Sequence, residues 1–234
     1  MTSIPTPRTP HDLLAKLRSQ LPAALPTTLT AAGAGATPGN DLYEAYLFAL
    51  VIEAAKSVGY AVDFEISPGV AARQLHLRRS PGRISSSGRG ASFTYAVLSH
   101  GSRPPLELHT GVFVVGKSKV AHEADVLLLP RVEADRCRRQ DCDPASSKAR
   151  LVIEAKYYTK PVHLGTSREF LGLSKDLSSL TQVFVCTIGT ASATALLAGS
   201  NSVEYDVGVL PSLPGEESLR QFLGRLLRAY RDRR

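Results

Sequence analysis

Three residues have the types and spacing for chemistry: Asp125 in Ala124-Asp125-Val126-Leu127-Leu128-Leu129, and Glu154 and Lys156 in Leu151-Val152-Ile153-Glu154-Ala155-Lys156. Both segments read as short apolar strands of the kind that occupies the middle of a sheet. Side chains alternate faces along a strand, so Glu154 and Lys156 share one face while Ile153 and Ala155 take the other. Burying carboxylates and an ammonium is costly unless each is paired or bound to a cation. A hard metal ion would satisfy both acids. Mg²⁺ takes one or two carboxylates and keeps several waters, which suits phosphate chemistry. A neighbouring lysine would orient an attacking water or stabilise the negative charge growing on phosphorus. A plain salt bridge between two strand ends would satisfy the same residues, and an acid-x-Lys triplet alone does not separate the two readings.

The surrounding motifs bear on that choice. Gly116-Lys117-Ser118, then His122-Glu123-Ala124-Asp125-Val126, then Val152-Ile153-Glu154-Ala155-Lys156 resemble the restriction-endonuclease-like, or PD-(D/E)xK, nuclease superfamily. Pro161-Val162 and Ser167-Arg168-Glu169-Phe170-Leu171-Gly172-Leu173 resemble its Mrr-type branch, in which the segment after the lysine leads into a helix beside the active site. The resemblance covers about residues 41–210. It implies an α/β fold with a restriction-endonuclease-like three-layer core, a mixed central sheet flanked by helices. It also implies a Mg²⁺- or Mn²⁺-dependent endonuclease that hydrolyses double-stranded DNA in a restriction or defence role. In that reading Asp125, Glu154 and the Ala155 carbonyl bind the metal, and Lys156 positions water. Glu44 is a further acid, because many members place one on the first helix. A homodimer is a further expectation, and RNA as substrate stays open. The competing class is an inactive nuclease fold kept for DNA binding or partner assembly. Two departures from the pattern, Ala124 where proline is common and a long Arg/Cys/Asp-rich connection over 131–149, bear on substrate more than on chemistry.

Glu44 has an alternative. With Asp41 as N-cap, Glu44 stands at the third helical position of a capping box, and the spacing fits equally well. Glu123 shares the face of Asp125 by the period of two and can reach the site. His122 points the other way and is expected to hold a strand end or touch substrate rather than bind metal, while His109 and His163 have no partner spacing. Cys137 and Cys142 form a C-x₄-C pair with no second pair at zinc spacing, so a surface loop is expected there. Arg73, Arg78, Arg79, Arg83 and Arg89 cluster near the early strands and are candidates for gripping a phosphate backbone. Arg78, Arg79, Arg83 and Arg168 are the residues expected to meet substrate.

The elements that must position these residues follow from periodicity and punctuation. Residues 1–40 are Pro-, Thr-, Ala- and Gly-rich apart from an amphipathic stretch, Leu13 to Leu21, and read as an appendage. The nuclease-like domain then spans 41–234. Its first helix is expected from Asn40 or Asp41 to about Gly59, with Leu47, Leu50, Val51, Ala54 and Val58 on one face. Strands are expected at 61–66, 74–78, 92–98, 106–115, 124–129 and 150–158. Beyond them come helix 165–180, strand 182–188, helix 191–199, strand 205–210 and helix 215–231. That last helix buries Leu219, Phe222, Leu223, Leu226 and Leu227 and turns its arginines to solvent.

With 234 residues, 43% of them hydrophobic and 21% charged, the chain can fill one core. A formal charge of +7 favours a polyanionic partner. Three cysteines exclude a disulfide framework. The first residues lack the apolar run of a signal peptide, and no stretch is long enough for a membrane span, so a cytoplasmic protein with no membrane contact is expected.

Overall fold

The computed structural model describes residues 38–78, 80–85, 93–179 and 181–232. The expected appendage over 1–40 lies almost wholly outside these residues, as do Arg79 and Arg89. Helix α1 runs from Pro38 to Ser57. It opens on a proline, a position where a missing N–H costs nothing. Strands β1 (Ala61–Ser67), β2 (Val70–Ala71), β3 (Tyr95–Ser99), β4 (Leu106–Val115) and β5 (Ala121–Pro130) follow. Helix α2 (Arg131–Gln140) and a short 3₁₀ turn (Ser146–Lys148) lead to β6 (Leu151–Lys156). The remainder alternates: α3 (Leu164–Asp176), β7 (Gln182–Cys186), α4 (Ala191–Ala198), β8 (Glu204–Val207) and α5 (Pro214–Asp232).

All eight strands form one sheet in the order β2-β1-β3-β4-β5-β6-β7-β8. The first half is antiparallel through β6, and β6, β7 and β8 run parallel. Leu151 and Ile153 belong to one apolar cluster with α1 and α5, while Val152 belongs to another that includes Ala134 and Cys137 of α2. Phe184 and Cys186 face a third, with Phe170 of α3 and Ala193 and Leu197 of α4. Three layers result, with α1 and α5 on one face and α2, α3 and α4 on the other. The mixed sheet flanked by helices is therefore as expected.

Two expectations about elements were wrong. Residues 74–78 form no strand: Leu75 makes an isolated bridge, and the Thr94 hydroxyl stands in for ladder bonds by donating to the Gln74 carbonyl and accepting from the His76 amide. The connection over 131–149 contains a helix. Its burial pattern, Glu133, Ala134 and Cys137, recurs at helical spacing and docks on β5, but the apolar stripe is too narrow to show among the charges.

Helix α1 is not one-sided. Tyr43, Tyr46, Phe48 and Ile52 are as buried as Leu47 and Val51, because α5 covers the side that the sheet does not. A helix apolar all round is a core helix.

Candidate active site

The site occupies a fork in the sheet. Pairing between β5 and β6 ends at Val126 opposite Ile153. Both strands nonetheless continue, β5 back to Ala121 against β4 and β6 on to Lys156 against β7. Strict alternation also breaks on β5 at this point. Val126 and Leu128 lie in the α1 core, whereas Ala124, Leu127 and Leu129 lie in the α2 core. Asp125 stands at the break. Opposite it on the far side of β5, Gly111 of β4 takes φ 55, a value that side-chain-bearing residues rarely adopt. The change of face therefore runs through both strands of the ribbon.

Asp125 is 7% exposed and accepts a hydrogen bond from the Ala155 amide to Oδ2 at 2.6 Å. Its carboxylate thus bridges the fork where the ladder has stopped. Glu154 and Lys156 share a face, as their spacing requires, and their charged ends meet at 2.5 Å. From the other layer Glu44 comes within electrostatic reach of Asp125, Glu123 and Lys156. At a fork, residues from both faces of a sheet can meet, and here they do.

The charges confirm the crowding. Burial, then the charge of Glu154, pushes Asp125 up to about 7 against the opposing pull of Lys156 and the Ala155 amide. Burial, followed by the carboxylates of Asp125, Glu123 and Asp41, pushes Glu44 up to about 9. Glu123 is raised by burial and by Glu154. Burial pulls the Lys156 ammonium down, but Glu154 and Asp125 outweigh it and hold its pKa above the ordinary value. Burial first, and then the gathering of carboxylates around a single ammonium, hold protons on Asp125, Glu44 and Glu123 above the ordinary range.

The capping-box alternative for Glu44 fails on the helix boundary. With α1 starting at Pro38, Asp41 lies inside the helix and Glu44 a full turn or more beyond the start. Tyr157, next after Lys156, packs its ring against Tyr43 at 5.7 Å between centroids. A side chain at Gly39 would collide with that same ring, so the start of α1 and the end of β6 approach as closely as backbone and ring allow.

Other expected residues fall elsewhere. His122 holds a strand end: its Nε2 meets Asp176 Oδ2 at 2.7 Å. Asp176 also accepts from the Ser118 amide at 2.7 Å and the Ser118 hydroxyl at 2.6 Å, so it clamps the β4–β5 turn to the end of α3. Arg78 is turned inward. It is 8% exposed, donates to the Arg83 carbonyl at 2.6 Å and lies 4.3 Å over the Phe93 ring. Arg83 reaches Asp141 and Asp143. Arg168 is exposed on α3. Three arginines of the 131–149 connection, Arg131, Arg136 and Arg138, are also engaged. Arg136 pairs with Glu133, while Arg131 and Arg138 both reach Glu107, a carboxylate with no exposure at all. His109, given no role by its spacing, is buried against Glu107 at 2.9 Å and stacked on Tyr95. Asp176 carries no local signal, since its partners Ser118 and His122 lie more than fifty residues away in sequence, and of the partners of Glu107 only His109 is local.

Among the described residues no three His, Cys, Asp or Glu side chains converge tightly enough to make a ready metal cage. Nor is any described helix long and apolar enough to cross a membrane. No family model and no characterised protein matches the chain. Among solved structures, "Crystal Structure of Protein of Unknown Function AF1548" aligns with a TM-score of 0.33 and 20% identity. The alignment covers 51% of this chain and about 58% of that protein's length, and a likeness this slight carries no argument.

Proposed function

We propose that the chain is a divalent-metal-dependent endonuclease acting on double-stranded DNA, of the PD-(D/E)xK type. The observation that supports this reading is the meeting of Asp125, Glu154, Lys156 and Glu44 at the fork, where four carboxyls including Glu123 surround one ammonium. The donor chemistry fits a hard cation. Asp125 keeps one oxygen clear of the Ala155 bond, and Mg²⁺ needs only one or two carboxylates beside water. Asp125, Glu154 and the Ala155 carbonyl would hold it, with Glu44 as a further acid. When bound, such an ion polarises a phosphate oxygen and lowers the pKa of a coordinated water.

The chain's own groups do the rest. Lys156 holds its proton throughout and places a positive charge where negative charge develops on phosphorus. Tyr43 and Tyr157 pack the floor of the fork and fix the α1 side against β6. The Asp176 clamp holds the turn that leads into Glu123 and Asp125.

A second reading, a DNA-binding or assembly module without turnover, draws on one observation. The Glu154–Lys156 pair and the Asp125–Ala155 bond satisfy these groups without any ion. Supercoiled plasmid incubated with the protein in EDTA, Mg²⁺ or Mn²⁺ separates the two. Metal-dependent nicking that is lost in Asp125→Ala and Lys156→Ala supports the nuclease. Retarded but uncut DNA under every metal supports the binding module.

A further inference from the structure

Helix α2 ends in a left-handed cap whose two packing positions are both cysteines. Asp141 takes φ 47, and its amide bonds the Cys137 carbonyl. The Cys142 amide reaches the same carbonyl at 3.2 Å. In this kind of helix end the residue receiving those bonds packs against the residue that follows the left-handed position. Here those residues are Cys137 and Cys142, and Cys142 does pack on the core cluster that contains Cys137. One guanidinium touches both sulfurs: Arg136 Nη1 lies 3.2 Å from Cys142 Sγ and Arg136 Nη2 lies 3.5 Å from Cys137 Sγ. The two sulfurs also meet directly, since the Cys142 side chain is a hydrogen-bond partner of the Cys137 thiol.

We propose that Cys137 and Cys142 form a redox-active dithiol that closes into an intrachain disulfide. A zinc site does not suit the same atoms, because a guanidinium aimed at both sulfurs repels a divalent cation. Cys142 is partly exposed and Cys137 fully buried, which fixes the order of events. The Cys142 sulfur, having lost its proton to water, attacks a small-molecule disulfide and expels one thiolate, which takes up a proton. The Cys137 sulfur then attacks the Cys142 sulfur of the mixed disulfide, loses its own proton and expels the second thiolate. One external disulfide is reduced to two thiols while two protein thiols become one disulfide. Burial pushes the Cys137 thiol up to about 12, so it is the slower, resolving partner.

The closed bond would fix a junction. Asp141, between the two cysteines, accepts from Arg83 at 2.9 Å through its carbonyl and from Ser85 at 2.6 Å through its carboxylate. The disulfide therefore stiffens the point from which the 83–85 segment hangs. This proposal is independent of whether the fork cuts DNA.

The test is a peptide map of native protein treated with oxidised glutathione, alkylated and digested with trypsin without reduction. Cleavage after Arg136, Arg138 and Arg139 leaves the two cysteines on separate peptides, Cys137-Arg138 and 140–148. The expected result is that these two run as one linked species, released by reductant and formed at the same rate at all protein concentrations. Cys186, buried in β7, should stay unmodified. Cys142→Ser should give no linked species and only slow glutathione addition at Cys137. Separate glutathione adducts on both cysteines with no linked peptide would overturn the proposal. So would addition at Cys137 in Cys142→Ser as fast as linkage in the wild type.

Discussion

Asp125→Asn keeps the shape of the side chain and an oxygen to accept from the Ala155 amide, but removes the charge. The carboxyl is 7% exposed and held at about 7 in the folded chain against an ordinary 3.8. A raised folded value means that the native state binds a proton the unfolded chain has released, so stability falls as pH rises through that window. At 1.36 kcal/mol per pH unit the full penalty is about 4 kcal/mol, reached above pH 7. Somewhat under half of it is already present at pH 5, because the unfolded carboxyl is ionised there. Wild type should thus lose about 3 kcal/mol between pH 5 and pH 9 that the asparagine variant keeps. Glu44 adds to the contrast in the same direction, since Asp125 is one of the charges that raise it. The assay is urea unfolding followed by circular dichroism at pH 5, 7 and 9 in EDTA, then repeated with Mg²⁺. Excess Mg²⁺ should restore stability to wild type and not to the variant, because an ion that binds only the native state stabilises it by mass action. Parallel pH profiles for the two proteins in EDTA would refute the reasoning. They would mean that Asp125 is not a buried, crowded acid.

Three further outcomes follow from the same contacts. Arg138→Ala leaves the fully buried Glu107 short of its closest partner, at 2.6 Å, and should destabilise the fold by about 3–5 kcal/mol in chemical denaturation. Arg78→Ala should lower the melting temperature while leaving the salt dependence of DNA binding unchanged, since its guanidinium is turned inward onto Phe93. A shallower salt slope at constant stability would show that Arg78 meets phosphate after all. Asp176 is held down to about 2 by Ser118 and His122, so its contribution is present above pH 4 and disappears as pH falls towards 2. Asp176→Asn should therefore shift the acid-unfolding midpoint upward, measured by fluorescence or circular dichroism across an acid titration.

Much of the fold was legible because its strands are bounded by Gly, Pro and Ser and because α3, α4 and α5 alternate with strands in the usual crossover pattern. Strand β4 was read to the residue, and β5 and β6 within a few. The pairing of Glu154 with Lys156 was legible too, since it depends only on a period of two. The placement of Asp125 was not. Its neighbours do not alternate, and the break in β5 lies opposite Gly111 of β4, a position on another strand. Helix α2 was missed because most of its side chains are charged and solve their own pairing at i+3 or with Glu107. Residues 74–78 look like a strand in composition, but an isolated bridge at Leu75 and the amide and hydroxyl of Thr94 hold them in place of a regular ladder.

The burial of α1 on every side has a consequence for how the chain reaches its native state. Helix α1 shares its apolar cluster with α5, and α5 follows every strand in sequence. The Tyr60 hydroxyl donates to the Leu227 carbonyl, and Arg231 donates to the Val58 carbonyl, so both helices are stitched together across most of the chain. No partial chain lacking 214–232 can hide this helix. A nascent chain would carry an exposed aromatic helix until translation has passed that point, and its core would close only in the last step. Contacts so distant in sequence slow folding and lengthen the interval in which apolar surface is open to chaperones or to aggregation. The acids at the fork, which depend on α1 for Glu44, are assembled only then as well.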